Sequence, residues 1–205
     1  MSVADQIQRL IQLGVPELAG RTSQEFAGLA ANLEESEDAV VVVHPQLVAA
    51  SALTPLLARH DKPGFVVVDM ADLDEFTDIE ALEVPDAPLY LMHASDRGDD
   101  LRNWSPDEVY PELVNRGRSP MTISEGISWL LAQPDLLEPN YCFMTIGSRK
   151  VKDAKGRLDA RTPAIWISGG TGRDGKANRD APKVGWCWAG NRHTWLGFGS
   201  VGSRS

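Results

Sequence analysis

The chain has 205 residues, and its 29 acidic and 20 basic side chains give a formal net charge of -9 at neutral pH. A chain of this length can bury roughly 70% of the surface that its unfolded form exposes, so it can build a core without disulfides. The apolar runs are far shorter than the ~20 residues of a membrane helix, which excludes a transmembrane protein. The chain has only two cysteines and no pattern of a secretion signal, so we expect a cytoplasmic protein with free thiols.

Apolar spacing and capping boxes mark the predicted helices. Apolar residues at helical spacing predict a first helix that ends at Gly14. In a capping box, a Ser or Thr hydroxyl and a following Glu carboxylate each satisfy a backbone N–H at the start of a helix. Such boxes predict helices that begin at Thr22, Ser105 and Thr122, and the first of these is expected to continue to Leu33.

Apolar and β-branched runs predict the strands. In the acidic first part they lie at residues 39–43, 65–69 and 89–93, and the run at 39–43 is typical of a strand buried on both faces. Further along the chain, strands alternate with glycine-bearing turns, which predicts an antiparallel sheet. These later strands cover residues 141–146, 163–168, 184–189 and 193–196.

These elements predict an α+β fold with helices packed on a mixed or antiparallel sheet. We expect one compact domain over residues 1–205, with a helix-rich part at 1–138 and a tryptophan-rich strand part at 139–205. Two polar connections, at residues 150–161 and 169–183, interrupt the second part. The longer one begins with a glycine-rich run that lacks the lysine of a phosphate-binding loop, and we expect it to be mobile.

The charge is divided unequally between these two parts. Residues 1–138 contain 8 basic and 25 acidic side chains, a net charge of -17, whereas residues 139–205 contain 12 and 4, a net charge of +8. A basic C-terminal part can attract phosphate, nucleic acid or an acidic protein partner, while the acidic part repels nucleic acid and anionic lipid. The alternative is that the two parts attract each other within the fold.

The most unusual stretch is residues 185–197, which reads GWCWAGNRHTWLG. In a strand, alternation sends Trp186 and Trp188 to one face and Cys187 to the other. An aromatic surface edged by basic side chains suits a planar or phosphorylated ligand. The residues predicted to bind this ligand are Arg149, Trp186, Trp188, Asn191, Arg192 and His193. The alternative is that the tryptophans fill a core in a protein with few phenylalanines.

A second set of side chains is a candidate catalytic group. Its members are Asp96, Ser148, Cys187 and His193. Each has a simpler interpretation: an Asp-Arg pair after a strand often orders its own turn, Ser148 lacks the Gly-x-Ser-x-Gly frame of a hydrolase, and a cysteine between tryptophans is typical of a small buried apolar residue. No pair of Cys or His residues has zinc-site spacing, so we predict no metal, and no motif indicates a cofactor.

Several stretches together resemble a family of uncharacterised actinobacterial proteins that is classed as a domain of unknown function. The matching stretches are residues 63–65 (PGF), 84–88 (VPDAP), 96–98 (DRG), 116–122 (RGRSPMT), 147–149 (GSR), 163–168 (PAIWIS) and 185–197. The resemblance covers nearly the whole chain and implies a single domain. The family has no assigned activity, so the resemblance assigns no role to any residue.

Two functional hypotheses follow from the sequence. The first is a binding or regulatory module that receives an anionic ligand or an acidic protein partner at the C-terminal sheet. The alternative is a hydrolase or transferase that acts on a small phosphorylated or acyl substrate, with the candidate catalytic residues gathered in one cleft. Sequence-specific DNA binding is disfavoured, because the first part is acidic and no helix-turn-helix is recognisable.

Overall fold

The computed structural model describes residues 1–36 and 38–205. Over these residues the chain forms six α-helices and fourteen short strands. The helices are α1 (Val3–Gln12), α2 (Val15–Leu18), α3 (Ser23–Leu29), α4 (Ala50–Leu53), α5 (Pro106–Asn115) and α6 (Ile123–Ala132). The strands are β1 (Val40–Val43), β2 (Ala58–Arg59), β3 (Lys62–Pro63), β4 (Phe65–Val66), β5 (Thr77–Asp78), β6 (Leu89–His93), β7 (Ser119–Pro120), β8 (Cys142–Met144), β9 (Ser148–Arg149), β10 (Arg161–Ile167), β11 (Pro182–Trp188), β12 (Leu196–Phe198), β13 (Ser200–Val201) and β14 (Ser203–Arg204).

Two larger sheets organise the strands. The first has the order β12-β8-β10-β11-β4. Its three central strands are antiparallel to one another, and the edge strands β12 and β4 are parallel to β8 and β11. The second is antiparallel and has the order β1-β6-β14, with Val40 opposite Met92. Three two-stranded ribbons complete the strand pairing: β13 with β7, β2 with β3, and β5 with β9.

Helix α6 lies buried between the two larger sheets. Residues 123–131 are all buried, as expected of a helix that is apolar on most of its surface. Towards the second sheet, the Val43 N–H donates a hydrogen bond of 3.1 Å to the Ser128 hydroxyl. Towards the first sheet, a Cβ at Gly126 would lie 2.7 Å from Thr145 Cγ2, so only glycine allows the helix to approach this closely. The helix therefore links the two sheets through one core.

A buried ion pair closes the N-terminal end of α6. The Glu125 carboxylate accepts hydrogen bonds from the Thr122 N–H at 2.7 Å and from the Tyr90 hydroxyl at 3.1 Å. Arg204 in β14 forms a bidentate ion pair with this carboxylate. Its Nε contacts Oε1, and its Nη2 lies 2.9 Å from Oε2. A carboxylate in this position suits the positive end of the helix dipole as well as the arginine.

The α+β fold predicted from the sequence is confirmed. Capping boxes begin α3, α5 and α6 at the predicted residues, Thr22, Ser105 and Thr122. The first of these helices is shorter than predicted, because it ends at Leu29 and the chain continues in turns. The four later strands form a mixed sheet, since Leu196 pairs in parallel with Cys142.

Other segments differ from their predicted form. The strand predicted at 65–69 ends at Val66, and a single 3₁₀ turn follows over Val68–Met70. Residues 54–59, which carry no capping box, form a 3₁₀ turn over Thr54–Leu56 and then strand β2. These segments are too short for a repeating apolar pattern to define them.

The two predicted parts of the chain share one apolar core. A single cluster of buried side chains includes, among others, Phe26 and Leu113 from the first part and Phe143 and Phe198 from the second. The organisation as one domain stays a prediction, and this shared core supports it. No helix within residues 1–36 and 38–205 is long and apolar enough to cross a membrane.

The polar connection at residues 169–183 is held by several contacts. Asp174 accepts hydrogen bonds from the Ser168 hydroxyl and from Lys183 Nζ, each at 2.8 Å. Lys62 Nζ donates to the Ala177 carbonyl at 2.9 Å. The mobility that its composition suggests stays a prediction, and these contacts oppose it.

Candidate functional site

The predicted site residues have different local surroundings. Asp96 orders its own turn, because its Oδ1 accepts a hydrogen bond of 2.7 Å from the Gly98 N–H. Arg192 forms an ion pair with Glu108 at the start of α5. Ser148 and Arg149 lie together in β9. Of the four candidate catalytic residues, Ser148 lines one of the two cavities described below, whereas Asp96, Cys187 and His193 line neither.

The tryptophans of β11 lie partly in the core and partly at the surface. The rings of Trp186 and Trp188 lie on one side of the strand, with 4.5 Å between their centroids, and Trp188 is 47% exposed. Cys187 is buried on the opposite side. Trp166 and Trp195 form a second edge-to-face pair at 6.1 Å. The indole groups are divided between two pairs and form no continuous aromatic surface.

Burial changes the pKa of both Cys187 and His193. It raises the pKa of the Cys187 thiol to about 12, so the nucleophilic thiolate is strongly disfavoured at neutral pH. It lowers the pKa of His193, whose ring packs edge-on against Trp195 at 5.4 Å. The His193 Nε2 atom is buried and has no hydrogen-bond partner within the described part of the chain. The surroundings of Cys187 are therefore those of a small buried apolar residue.

Ser148 and Arg149 border a cleft that the sequence did not indicate. Their strand, β9, pairs with β5, so that Thr77 lies opposite Arg149 and Asp78 lies opposite Ser148. The Ile79 N–H continues this ribbon with a hydrogen bond of 3.0 Å to the Gly147 carbonyl. Two cavities adjoin the ribbon, and both have Thr77 and Asp78 among their lining residues.

The larger cavity has a volume of about 630 Å³, within the range of small-molecule sites. Most of its wall is apolar, and its polar residues include Asp78, Asp107 and Arg149. The lining residues are Thr77, Asp78, Ile79, Glu80, Ala81, Pro106, Asp107, Tyr110, Ile146, Arg149, Val151, Gly156 and Leu158.

Arg149 lines this cavity and is the one Lys or Arg side chain in its wall among the described residues. Its Nη2 donates to the Asp159 carbonyl at 2.9 Å, whereas its buried Nε has no partner among residues 1–36 and 38–205. Burial lowers the pKa of Arg149, and the nearby Asp107 and Asp159 carboxylates act in the opposite direction. Neither carboxylate forms an ion pair with it.

The smaller cavity, of about 380 Å³, lies at the N-terminal end of α6. Its lining residues are His44, Pro45, Gln46, Ala49, Ala50, Leu73, Asp74, Phe76, Thr77, Asp78, Ile123, Ser124 and Ser148. Ser148 helps to fix the helix end, because its hydroxyl accepts a hydrogen bond of 2.9 Å from the Ile123 N–H. The cavity wall contains carboxylates and hydroxyls but no Lys or Arg side chain.

Asp78 is the acidic residue that lines both cavities. Its side chain accepts no hydrogen bond and forms no ion pair within the described residues. Burial raises its pKa, and the neighbouring Glu125 carboxylate adds to the effect, while His44 and Arg204 oppose it. A partly buried carboxylate without a partner is costly, and such groups are concentrated at functional sites.

Ser124 and His44 supply hydrogen-bond donors beside Asp78. The Ser124 side chain is only 3% exposed, and its hydroxyl has no hydrogen-bond partner in the part of the chain that the structure describes. As the second residue of α6, Ser124 also has a backbone N–H without a partner in the helix. The His44 Nδ1 accepts a hydrogen bond of 3.1 Å from the Gln46 N–H, so the neutral ring carries its proton on Nε2.

Asp78→Asn is expected to raise the free energy of unfolding at pH 7 and to leave it nearly unchanged at pH 3. The pKa of Asp78 in the folded protein lies above the ~3.9 of an unfolded chain, so ionisation opposes folding once the pH exceeds that value. At pH 3 the carboxyl is mostly protonated in both states and the gain disappears. Urea unfolding at the two pH values measures the difference.

The exposed Asp135→Asn is the control for this prediction. It is expected to change the free energy of unfolding by less than ~0.5 kcal/mol at either pH. A lower free energy of unfolding of Asp78→Asn at pH 7 would contradict this prediction, because it would show that the ionised carboxylate makes a stabilising contact.

The fold and these cavities define an α+β protein with a ligand-sized cleft between a two-stranded ribbon and the start of a buried helix. The model of a family of unknown function (DUF5701) matches residues 9–205, and the chain belongs to that family. The resemblance to a domain of unknown function is thereby confirmed. No curated protein and no solved structure matches the chain. Residues 1–36 and 38–205 contain no cluster of three or more His, Cys, Asp or Glu side chains that could hold a metal ion.

Proposed function

We propose that the protein is a cytoplasmic binding or regulatory module whose larger cavity takes a small anionic ligand. The observation that carries this proposal is Arg149, a partly buried guanidinium that lines the cavity and forms no ion pair within the described residues. An arginine offers a planar fork of donors that matches a carboxylate or phosphate. The ligand's anionic group would pair with this guanidinium.

Five of the eleven other basic side chains of the C-terminal part have carboxylate partners in the acidic part, within the described residues. Such ion pairs join Lys150 and Arg161 to Asp72, Arg173 to Asp69, Arg192 to Glu108, and Arg204 to Glu125. Attraction within the fold thus accounts for part of the charge asymmetry. A ligand site at Arg149 is supported by the surroundings of this residue and not by the net charge of the C-terminal part.

The remaining wall of the larger cavity suits the apolar body of the ligand. Val151 and Leu158 face each other in the hairpin that follows β9, and they are 57% and 45% exposed. Tyr110 and Ile146 extend the same wall. A ligand that covers these side chains removes apolar surface from water, which stabilises the complex.

Arg149→Gln is expected to weaken binding of such a ligand by roughly 10- to 100-fold. The variant loses hydrogen bonds to a charged group, which contribute about 1.5–3 kcal/mol. The ligand is found by thermal shift with a panel of adenosine monophosphate, phenyl phosphate, benzoate and hexanoate, and its affinity is then measured by calorimetry.

Arg192→Gln is the matched control, because Arg192 has the same charge but is exposed and paired with Glu108. It is expected to change the affinity by less than about twofold. Equal binding by wild type and Arg149→Gln, or the absence of binding by every member of the panel, would contradict the proposal.

A second candidate function is a hydrolase or transferase acting on a small phosphorylated or acyl substrate. The specific observation in its favour is the Asp78 carboxylate, which has no partner within the described residues and belongs to a residue that lines both cavities. Incubation of each binding compound with the protein, followed by NMR, distinguishes the two functions. Turnover that Asp78→Asn abolishes supports the enzyme, and unchanged compound supports the binding module.

A further inference from the structure

The Asp78 side chain faces the smaller cavity, which the proposed function does not use. In the β5–β9 ribbon, Asp78 lies opposite Ser148 and Thr77 lies opposite Arg149. Successive side chains of a strand point to opposite faces, so Asp78 and Ser148 share one face of the ribbon and Arg149 lies on the other. Of the two cavities, Ser148 lines only the smaller one and Arg149 only the larger one. The Asp78 carboxylate therefore belongs to the smaller cavity.

The charges that act on Asp78 agree with this placement. They come from Glu125 and Arg204 at the N-terminal end of α6 and from His44 in the wall of the smaller cavity, and Arg149 is not among them. Glu125 and Arg204 form an ion pair with each other, so their effects on Asp78 largely cancel. The His44 Nδ1 accepts a backbone hydrogen bond of 3.1 Å, which requires the neutral ring. The Asp78 carboxylate is thus left without a compensating charge.

The rest of the cavity wall provides hydrogen-bond acceptors and apolar surface. Asp74 is a second carboxylate, and it accepts hydrogen bonds from Ser51. Ser124 is only 3% exposed, and its hydroxyl has no partner within residues 1–36 and 38–205. No Lys or Arg side chain is part of this wall within the same residues. The apolar side chains of the wall include Leu73, Phe76 and Ile123.

These surroundings favour a cation as the occupant. An anionic group would meet Asp74 and Asp78 with no basic side chain in the wall to offset the repulsion. A hydroxyl group could donate to Asp78 but would leave its charge uncompensated. An ammonium group supplies the missing positive charge and three hydrogen-bond donors, which suit the carboxylate and the Ser124 hydroxyl oxygen.

The positive end of the α6 dipole is already compensated and does not oppose a cation. The Ser148 hydroxyl accepts a hydrogen bond from the Ile123 N–H, and the Glu125 carboxylate accepts one from the Thr122 N–H. Glu125 also places a full negative charge in the first turn of the helix. The balance of charge around the cavity is therefore set by Asp78.

We infer that the smaller cavity binds a small organic ammonium ion, whose charged group pairs with Asp78 and donates to the Ser124 hydroxyl. The apolar body of the ligand lies against Leu73 and Phe76. Such a ligand also removes the cost of a partly buried carboxylate that has no partner. This site is separate from the one at Arg149, and the inference does not rest on the proposed function.

The test uses two matched pairs of compounds, benzylamine with benzyl alcohol and butylamine with butanol. Within each pair, the ammonium group is exchanged for a hydroxyl. In calorimetry at neutral pH, the wild-type protein is expected to bind at least one amine about tenfold or more tightly than its alcohol, because a hydrogen bond to a charged group is the stronger one.

Three variants locate the site of binding. Asp78→Asn keeps the shape of the side chain and is expected to weaken binding of the amine by roughly tenfold or more. Ser124→Ala removes a neutral acceptor and is expected to weaken it by roughly two- to tenfold. Asp135→Asn, which removes one exposed carboxylate outside this cavity, is the control and is expected to change the affinity by less than about twofold. Urea unfolding of each variant shows that it is folded.

The possible failures have different meanings. If neither amine binds more tightly than its alcohol, the inference is wrong. If a preference exists but survives Asp78→Asn, the ammonium ion binds elsewhere, and the assignment to the smaller cavity is wrong. If Asp135→Asn weakens binding as much as Asp78→Asn does, the amines respond to the net negative charge of the protein, and the cavity is again not the site. These outcomes leave the proposal at Arg149 to its own ligands.

Discussion

Arg204→Met is expected to lower the free energy of unfolding by about 3–5 kcal/mol. The variant removes the counter-ion of Glu125, a carboxylate that is fully buried at the N-terminal end of α6. It also removes hydrogen bonds of 2.6 Å to the Ser119 hydroxyl and 3.0 Å to the Pro120 carbonyl. Urea unfolding followed by circular dichroism at 222 nm measures the loss.

Two further variants test this reasoning. Arg116→Met removes ion pairs with Glu112 and Asp100 at the surface and is expected to cost less than ~1 kcal/mol. The double variant Glu125→Gln/Arg204→Met removes both charges and is expected to be more stable than Arg204→Met alone. If the double variant were the less stable of the two, an unpaired Glu125 charge would not be the cause of the loss.

Gly98→Ala is expected to cost about 2–5 kcal/mol, the second-largest effect. Gly98 has a φ of +69°, which non-glycine residues adopt with strain. A Cβ there would also lie 2.3 Å from the Phe198 carbonyl oxygen, so the turn after β6 and strand β12 would have to separate. The same unfolding measurement applies.

Gly117→Ala separates the two causes. Gly117 has nearly the same φ, +67°, but no atom lies within 4 Å of the position of its Cβ. Its replacement should therefore show the conformational strain alone, about 1–2 kcal/mol. Equal losses in the two variants would mean that the close approach to Phe198 is relieved without cost.

Local signals account for the parts of the fold that could be predicted. A capping box involves residues close in sequence and the first turn of its own helix, so Thr22, Ser105 and Thr122 marked helix starts without knowledge of the tertiary structure. The run at Val40–Val43 likewise predicted a strand buried throughout. Such signals depend little on which elements later pack together.

The cleft could not be predicted because it depends on contacts between distant segments. Strands β5 and β9 have two residues each, too few for an alternating pattern, and their pairing joins Asp78 to Ser148 across the sequence. Ser148 and Arg149 could be named as candidates from the sequence, and they closely follow the strand predicted at 141–146. Nothing near Asp78 set it apart from the many other acidic residues between 70 and 87.

The charge asymmetry had two interpretations, and only the structure could weigh them. The composition of residues 139–205 is the same whether its cations face solvent or face the acidic part. In the fold, the carboxylate of Asp72 forms ion pairs with both Lys150 and Arg161, and these contacts hold the segment that precedes β5. Arg149 differs from the paired arginines in its surroundings in the fold, and its neighbours in the sequence do not show this difference.

The pairing of Arg204 with Glu125 has a consequence for the order of folding. The two residues are 79 positions apart, so the charge at the head of the central helix stays uncompensated until the chain as far as β14 has been synthesised. Sequence-distant contacts of this kind slow folding, because a long loop must close before they form. We therefore expect the core around the N-terminal end of α6 to form late in folding. A nascent chain that lacks β14 would have no counter-ion for Glu125.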